Sequence, residues 1–390
     1  MPSPIPTTPP AVKTRAQSKR AVGTRVAVLG AGSWGTTFAK ILADGGADVV
    51  VWARRPELAR EIQEAKRNSD YLPGVNLPLS LAATSRIEHA LDGAKQVYVS
   101  VPSQSLRDNL AAVAPHLVPE ASVVSLMKGV EKSTGLRMSE VIADVLPIDP
   151  AQIAVISGPN LALEIAKEQP TAAVVSSSSL ETAQAVASVS RNRYFHSFVN
   201  TDVIGTEFGG VLKNLIAVAI GIVDGAGYGE NTKASIITRG LVEMTDFAVA
   251  HGAHPETLSG LAGLGDLIAT SQSPLSRNNT AGRLLGQGYR LSDVVTQMQQ
   301  TTEGLASVGP VLELARAKGV SMPIVEQVRQ VLAGTLAPKD IAPHLTTEDE
   351  PQGERTGHGQ AQGGSALRRA FERARDQLRD GRRSAGRDRP

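Results

Sequence analysis

The hexapeptide Gly30-Ala31-Gly32-Ser33-Trp34-Gly35 constrains this chain more than any other stretch. It follows the apolar run Val26-Ala27-Val28-Leu29 and opens a helical pattern over 34–43. A glycine turn between a strand and a helix is the context in which G-x-G-x-x-G binds a dinucleotide. Gly30 permits the tight turn, Gly32 lets backbone approach a pyrophosphate, and Gly35 allows close helix–strand packing. The helix start offers free N–H groups to the anion. A second apolar run, Val49-Val50-Val51-Trp52, follows at the spacing of a β-α-β unit. The alternative is a glycine turn that holds no ligand.

The pattern repeats. Strand-like runs lie at 26–29, 49–52, 97–101, 122–126, 153–156 and 172–175, with helix-like segments at 104–114, 137–145, 161–168 and 180–188. The runs are continuously apolar rather than alternating, as in parallel strands buried on both faces. After about Thr206 the strand signal stops. Helical periodicity continues at 206–223, 235–251, 267–271, 277–287, 291–299, 307–318 and 324–333. The fold class expected is α/β: an N-terminal Rossmann doubly wound, mostly parallel sheet followed by an all-α C-terminal substrate domain. The domains expected are a disordered basic, Pro-rich arm at 1–22, a nucleotide-binding Rossmann domain at 23–205, an all-helical catalytic domain at 206–342, and a disordered Arg-rich tail at 343–390.

Composition narrows the chemistry. Cysteine is absent, which excludes disulfides, Cys-ligated metal and cysteine nucleophiles. His196, His251 and His254 show no metal-like spacing with acids, so no metal is expected. A net charge of +2 does not make the whole chain a binder of polyanions. No apolar run reaches the roughly 18 residues of a membrane span, since Lys213 and Asn214 interrupt the longest, at 211–223. The arm is basic and free of acids, but its prolines oppose the amphipathic helix of a transit peptide. The run 368–389 reads either as a short charged helix at 367–378 or as a solvated tail; no dedicated nucleic-acid or membrane partner is expected.

Cofactor choice is written at the end of the second strand run. NAD-preferring sites place an acid there. This chain has Arg54 and Arg55, with no acid before Glu57. Guanidinium pairs with a 2′-phosphate, so NADP(H) is expected to be preferred, with NAD(H) admitted. The alternative is two exposed arginines that cap a strand.

Lys213 heads the candidates for proton transfer. On a helix, Gly209, Gly210 and Ala217 surround it at i−4, i−3 and i+4, leaving a face where a ligand could pack. A partly desolvated lysine there exchanges a proton near neutrality; a snorkelling surface lysine is the other reading. Asp266 closes the glycine-rich loop 260–265, where plain N-capping is the commonest task of an Asp. Ser276, Arg277 and Asn278 open another helix, as an anion site or as ordinary capping. Lys128 and the Ser157-Gly158-Pro159-Asn160 turn follow strand runs, where α/β sheets place their ligands.

Together these motifs, from Gly30-Ala31-Gly32-Ser33-Trp34-Gly35-Thr36-Thr37 through Ser157-Gly158-Pro159-Asn160 and Gly209-Gly210-Val211-Leu212-Lys213-Asn214 to Gly260–Asn278, closely resemble the bacterial-type NAD(P)-dependent glycerol-3-phosphate dehydrogenases. The resemblance spans about 24–337. It implies reversible reduction of dihydroxyacetone phosphate to sn-glycerol 3-phosphate, a supply of backbone for glycerophospholipids, a cytoplasmic enzyme, and a homodimer through the helical domain. It makes Lys213 the proton donor and acceptor, supported by Asn214 and Asp266. Lys128, Gly158, Asn160, Lys213, Asp266, Ser276, Arg277 and Asn278 become substrate contacts. Ser33, Trp34, Arg54, Lys128, Ala162, Arg277, Thr301 and Glu303 become cofactor contacts. Two positions depart from the pattern: Asn160 stands where Ser or Thr is usual, and Thr301 where an aliphatic residue is usual. The alternatives are a β-hydroxyacid dehydrogenase of related architecture and a non-catalytic nucleotide-binding regulator.

Overall fold

A computed structural model describes residues 23–298 and 302–342. In chain order the first half comprises β1 (Arg25–Leu29), α1 (Ser33–Asp44), β2 (Asp48–Trp52), α2 (Pro56–Arg60), β3 (Ala82–Thr84), α3 (Ile87–Leu91), β4 (Gln96–Val99), α4 (Leu106–Val113), β5 (Ser122–Ser125), α5 (Met138–Val145), β6 (Ile153–Ser157), α6 (Ala162–Ala166), β7 (Thr171–Ser176), α7 (Leu180–Ser190) and β8 (Phe195–Asn200). Helices follow: α8 (Val203–Gly225), α9 (Glu230–Ala250), α10 (Pro255–Leu258), α11 (Asp266–Gln272), α12 (Arg277–Gly286), α13 (Leu291–Met298), α14 (Glu303–Ala317) and α15 (Pro323–Leu332).

The eight strands form one sheet in the order β3-β2-β1-β4-β5-β6-β7-β8. Successive residues of β1 explain the unbroken apolar runs. Val26 and Val28 join one core with α1 and α7, while Ala27 and Leu29 join the opposite core with α4 and α5. A strand covered on both faces has no polar side to show.

Two features differ from the sequence expectation. The pairing of β6 with β7 is antiparallel, so β7 and β8 run against the six parallel strands. Helix α6 has five residues, about 7 Å at 1.5 Å per residue, too short to carry the chain back along a strand of some 16 Å. The chain therefore turns over at left-handed Glu168 (φ 64°) and re-enters the sheet from the same end. Strands β3 and β8 gave no apolar run: the first has three residues, and the second alternates buried Phe195 and Ser197 with exposed His196 and Phe198.

Helix α8 is the axis of the second half. Its 23 residues are long and apolar enough to cross a membrane by length and composition, contrary to the expectation that no stretch qualifies, yet nearly all of them are buried in the fold. A helix apolar all round is one that others enclose, here α9, α11, α12, α14 and α15. The approach of α12 is unusually close. A Cβ on Gly221 would lie 2.9 Å from the Cα of Gly282, and one on Gly286 would lie 2.9 Å from the Cα of Gly225. Glycines four residues apart on both helices bring the backbones together and set the start of α12 beside the middle of α8.

Candidate active site

The order reversal between β1 and β4 is the switch point where open α/β sheets receive ligands. Gly30 sits there at φ 108°, and any side chain on it would collide with the Ser100 carbonyl beyond β4. Gly35 packs onto Gly30 in the same way. Gly32 is different: a Cβ there would meet nothing within 4 Å. It is the N-cap of α1, with no side chain capping the helix start. The turn thus combines open space with N–H donors left for an anion, the fit that a dinucleotide pyrophosphate requires. Trp34 flanks the turn, edge-on to Phe38 with centroids 5.4 Å apart. The Thr37 hydroxyl donates to the Ala162 carbonyl at 3.3 Å, bringing the start of α6 against α1.

Asn68 escaped the sequence reasoning. It is buried, and its amide donates to the Ala31 carbonyl at 2.9 Å and to Thr36 Oγ1 at 2.8 Å. It also accepts from the Tyr71 N–H at 3.1 Å, so it ties the loop after α2 to the glycine turn. A buried Asn with three partners is a brace, but in sequence it looks like any loop asparagine. At the edge of β2, Arg54 and Arg55 are both exposed. Arg55 pairs with Asp70 at 2.6 Å and lies over the Tyr71 ring, 5.6 Å from its centroid.

Beyond the sheet, charge concentrates around Asp266. Its carboxylate is 2 % exposed and meets Lys213 Nζ at 3.0 Å and Lys128 Nζ at 2.5 Å. Lys213 also donates to Thr270 Oγ1 at 2.6 Å, and that hydroxyl donates to Asp266 Oδ1 at 3.1 Å. Thr270 was missed, although Asp266 and Thr270 stand at i and i+4, on one face of α11. The N-cap of α11 is Gly265, so capping is not the task of the Asp266 side chain. Burial is the main influence on Lys213 and lowers its pKa to about 8; Asp266 opposes the shift, while Lys128 and Arg277 add to it.

The small face around Lys213 is not left for a ligand, as first expected. A Cβ on Gly209 would lie 2.5 Å from the Ala262 carbonyl, and one on Gly210 would lie 2.7 Å from Ser157 Oγ and 3.2 Å from Lys128 Cγ. The two glycines let α8 sink between β6 and the 261–265 turn, which draws Lys128 to the same carboxylate as Lys213. Lys128 Nζ donates as well to the Gly158 carbonyl at 3.0 Å. Asn160, two residues on, has both amide atoms buried without a hydrogen-bond partner.

Two helix starts, those of α12 and α14, close the cluster. Ser276 Oγ caps α12 by accepting from the Asn279 N–H at 3.2 Å, as the capping alternative had it. Asn278 donates to Asn214 Oδ1 at 2.8 Å and accepts from the Gly304 N–H at 3.0 Å. Beside Gly304, Glu303 accepts from Ser103 Oγ at 2.5 Å and from its N–H at 3.2 Å. Ser103, just past β4, was not anticipated. Arg277 is exposed, within electrostatic reach of Lys213. Thr301 lies outside the described residues, as do the arm at 1–22 and the tail at 343–390. Among the described residues no cluster of His and carboxylates could hold a metal ion.

Comparison with known proteins gives the family. Residues 25–183 match the family described as NAD-dependent glycerol-3-phosphate dehydrogenase N-terminus, and residues 202–343 match its C-terminus. Glycerol-3-phosphate dehydrogenase [NAD(P)+] of Leifsonia xyli subsp. xyli is 76% identical over 369 residues, covering 93% of this chain and 100% of that protein. The enzyme of the same name from Thermobifida fusca is 52% identical, covering 81% of this chain and 95% of its own length. The crystal structure of glycerol-3-phosphate dehydrogenase from Coxiella burnetii superposes with a TM-score of 0.79 at 34% identity, covering 84% of this chain and 99% of that one. The chain belongs to the NAD(P)-dependent glycerol-3-phosphate dehydrogenase family.

Proposed function

We propose that Lys213 is the proton donor when this enzyme reduces dihydroxyacetone phosphate to sn-glycerol 3-phosphate, and the acceptor in reverse. The observation that carries this is one buried carboxylate shared by two lysines, one of which has a pKa near 8. The nicotinamide, when bound, supplies the hydride for C2 of the ketone. Lys213 as ammonium stabilises the charge developing on the C2 oxygen and gives it a proton. Asp266 and Thr270 hold the amine in place, and Lys128 adds positive charge on the far side of the carboxylate. Asn214 and Asn278 fix the α8 and α12 turns relative to each other. The start of α12 with Arg277 serves the substrate phosphate, and Gly158 and Asn160 border the same space. Anchoring one end of a small substrate orients its carbonyl, which accounts for a large share of the rate gain.

The residues that would hold the dinucleotide are the Gly30–Gly35 turn, Ala162 and Glu303, with Arg54 and Arg55 toward a 2′-phosphate; NADPH is therefore the preferred cofactor and NADH the second. The enzyme acts as a cytoplasmic homodimer. The test of substrate class is Arg277→Ala. KM for dihydroxyacetone phosphate should rise roughly 10–100-fold, the cost of a lost charged hydrogen bond, with little change for unphosphorylated dihydroxyacetone. An equal effect on both ketones would exclude a phosphate anchor.

A further inference from the structure

The register at the β2 edge puts Arg54 and Arg55 beside the glycine turn. Leu29 pairs with Trp52, and the Gly30 N–H donates to the Trp52 carbonyl at 3.1 Å. Arg54 is exposed, and among the described residues it makes no hydrogen bond or ion pair. Arg55 is engaged, with Nη2 2.6 Å from Asp70 Oδ2 and its guanidinium over Tyr71.

We propose that Asp70 is a specificity-determining residue that competes with the 2′-phosphate of NADP(H) for Arg55, and so holds discrimination against NAD(H) below what two available arginines would give. This rests on the reading that the 2′-phosphate lands on these arginines. Two features make Asp70 more than an incidental surface acid. Its loop is fixed, because Asn68 is hydrogen-bonded to Ala31, Thr36 and the Tyr71 N–H, and Glu61 accepts from the Ser69 N–H and hydroxyl. The backbone that carries the carboxylate is therefore held at a set position relative to the glycine turn. The pair is also half exposed, 51% and 54% for the two side chains. Such pairs stabilise folds little, so this one can be exchanged for another anion at small cost. A bound 2′-phosphate would have to displace Asp70 from Arg55 or lie beside a like charge. An NAD(H) ribose carries no such charge: its neutral 2′-OH neither competes for Arg55 nor is repelled by the acid.

The experiment is calorimetric titration of the full chain with NADP+, NAD+ and 2′,5′-ADP, the last binding without a nicotinamide. Wild type is compared with Asp70→Asn, Arg55→Gln, the double variant Asp70→Asn/Arg55→Gln, and Arg54→Gln/Arg55→Gln. The expected result for Asp70→Asn is about five- to tenfold tighter NADP+ and 2′,5′-ADP, the worth of freeing one arginine from a competing ion pair in a hydrated site. NAD+ affinity should move less than twofold, and the gain should vanish in the double variant. Unchanged or weaker NADP+ binding by Asp70→Asn, while Arg54→Gln/Arg55→Gln collapses the preference, overturns the role of Asp70 alone. An unchanged NADP+/NAD+ ratio in Arg54→Gln/Arg55→Gln overturns the placement of the 2′-phosphate, and the Asp70 proposal with it.

Discussion

At Lys213 burial outweighs the attraction of Asp266, which brings the amine's pKa down to about 8. Its ammonium faces one carboxylate, that of Asp266, and shares it with Lys128. Lowering a lysine from 10.5 to about 8 corresponds to roughly 3 kcal/mol against the charged form. The sign sets the pH dependence. Ketone reduction needs the ammonium, so its kcat/KM should fall as pH rises through about 8; alcohol oxidation needs the free amine and should rise through the same value. Initial rates in both directions from pH 6.5 to 9.5 measure this, and limbs that move in the same direction would contradict it. The residue scale is also where the sequence was most and least legible. Gly30 was readable because only glycine tolerates φ 108° against the Ser100 carbonyl. The braces Asn68, Ser103 and Thr270 were not, because a polar side chain declares its partner only when the fold supplies one.

Elements carry a second buried acid. Glu243 on α9 accepts from the Ile324 and Val325 N–H groups at 2.9 and 3.1 Å, capping α15 from outside its own chain segment. Burial raises its pKa to about 7 despite those donors. An acid raised on folding contributes stability that is present below its ordinary value of 4.5 and lost as pH rises through 7. Glu243→Gln removes that titration. The Tm advantage of wild type over the variant should therefore shrink by several degrees between pH 5 and pH 8, read by thermal unfolding. A difference independent of pH would mean that the carboxyl does not titrate in this window. Element directions were only partly legible. An apolar run looks the same in a parallel or antiparallel strand, and β7 was reversed by the length of α6, not by its own residues. The glycines of α8 were visible, but their purpose was misread: Gly209 and Gly210 admit the 261–265 turn and β6, rather than a ligand.

At the scale of the whole molecule, the sheet and the helices meet through a few buried polar contacts. Arg137 pairs with Glu207 at 2.7 Å, Ser103 with Glu303, and Lys128 with Asp266. Each ties a strand end or sheet-side helix to the helical half. The order of motifs made this division readable from sequence, because strand periodicity stops where α8 begins. A homodimer is expected only through resemblance. On α9, Val242 and Val249 are exposed seven residues apart, on one face, which suits burial against a second copy. Light scattering should give twice the chain mass, and Val242→Glu/Val249→Glu should reduce it to one; a wild-type monomer would contradict the dimer. The most direct test of the account is Lys213→Ala, assayed by NADPH oxidation with dihydroxyacetone phosphate alongside NADPH binding. The prediction is a fall in kcat of roughly 10²–10⁴-fold with NADPH affinity within twofold of wild type. A near-normal kcat would remove Lys213 from the chemistry.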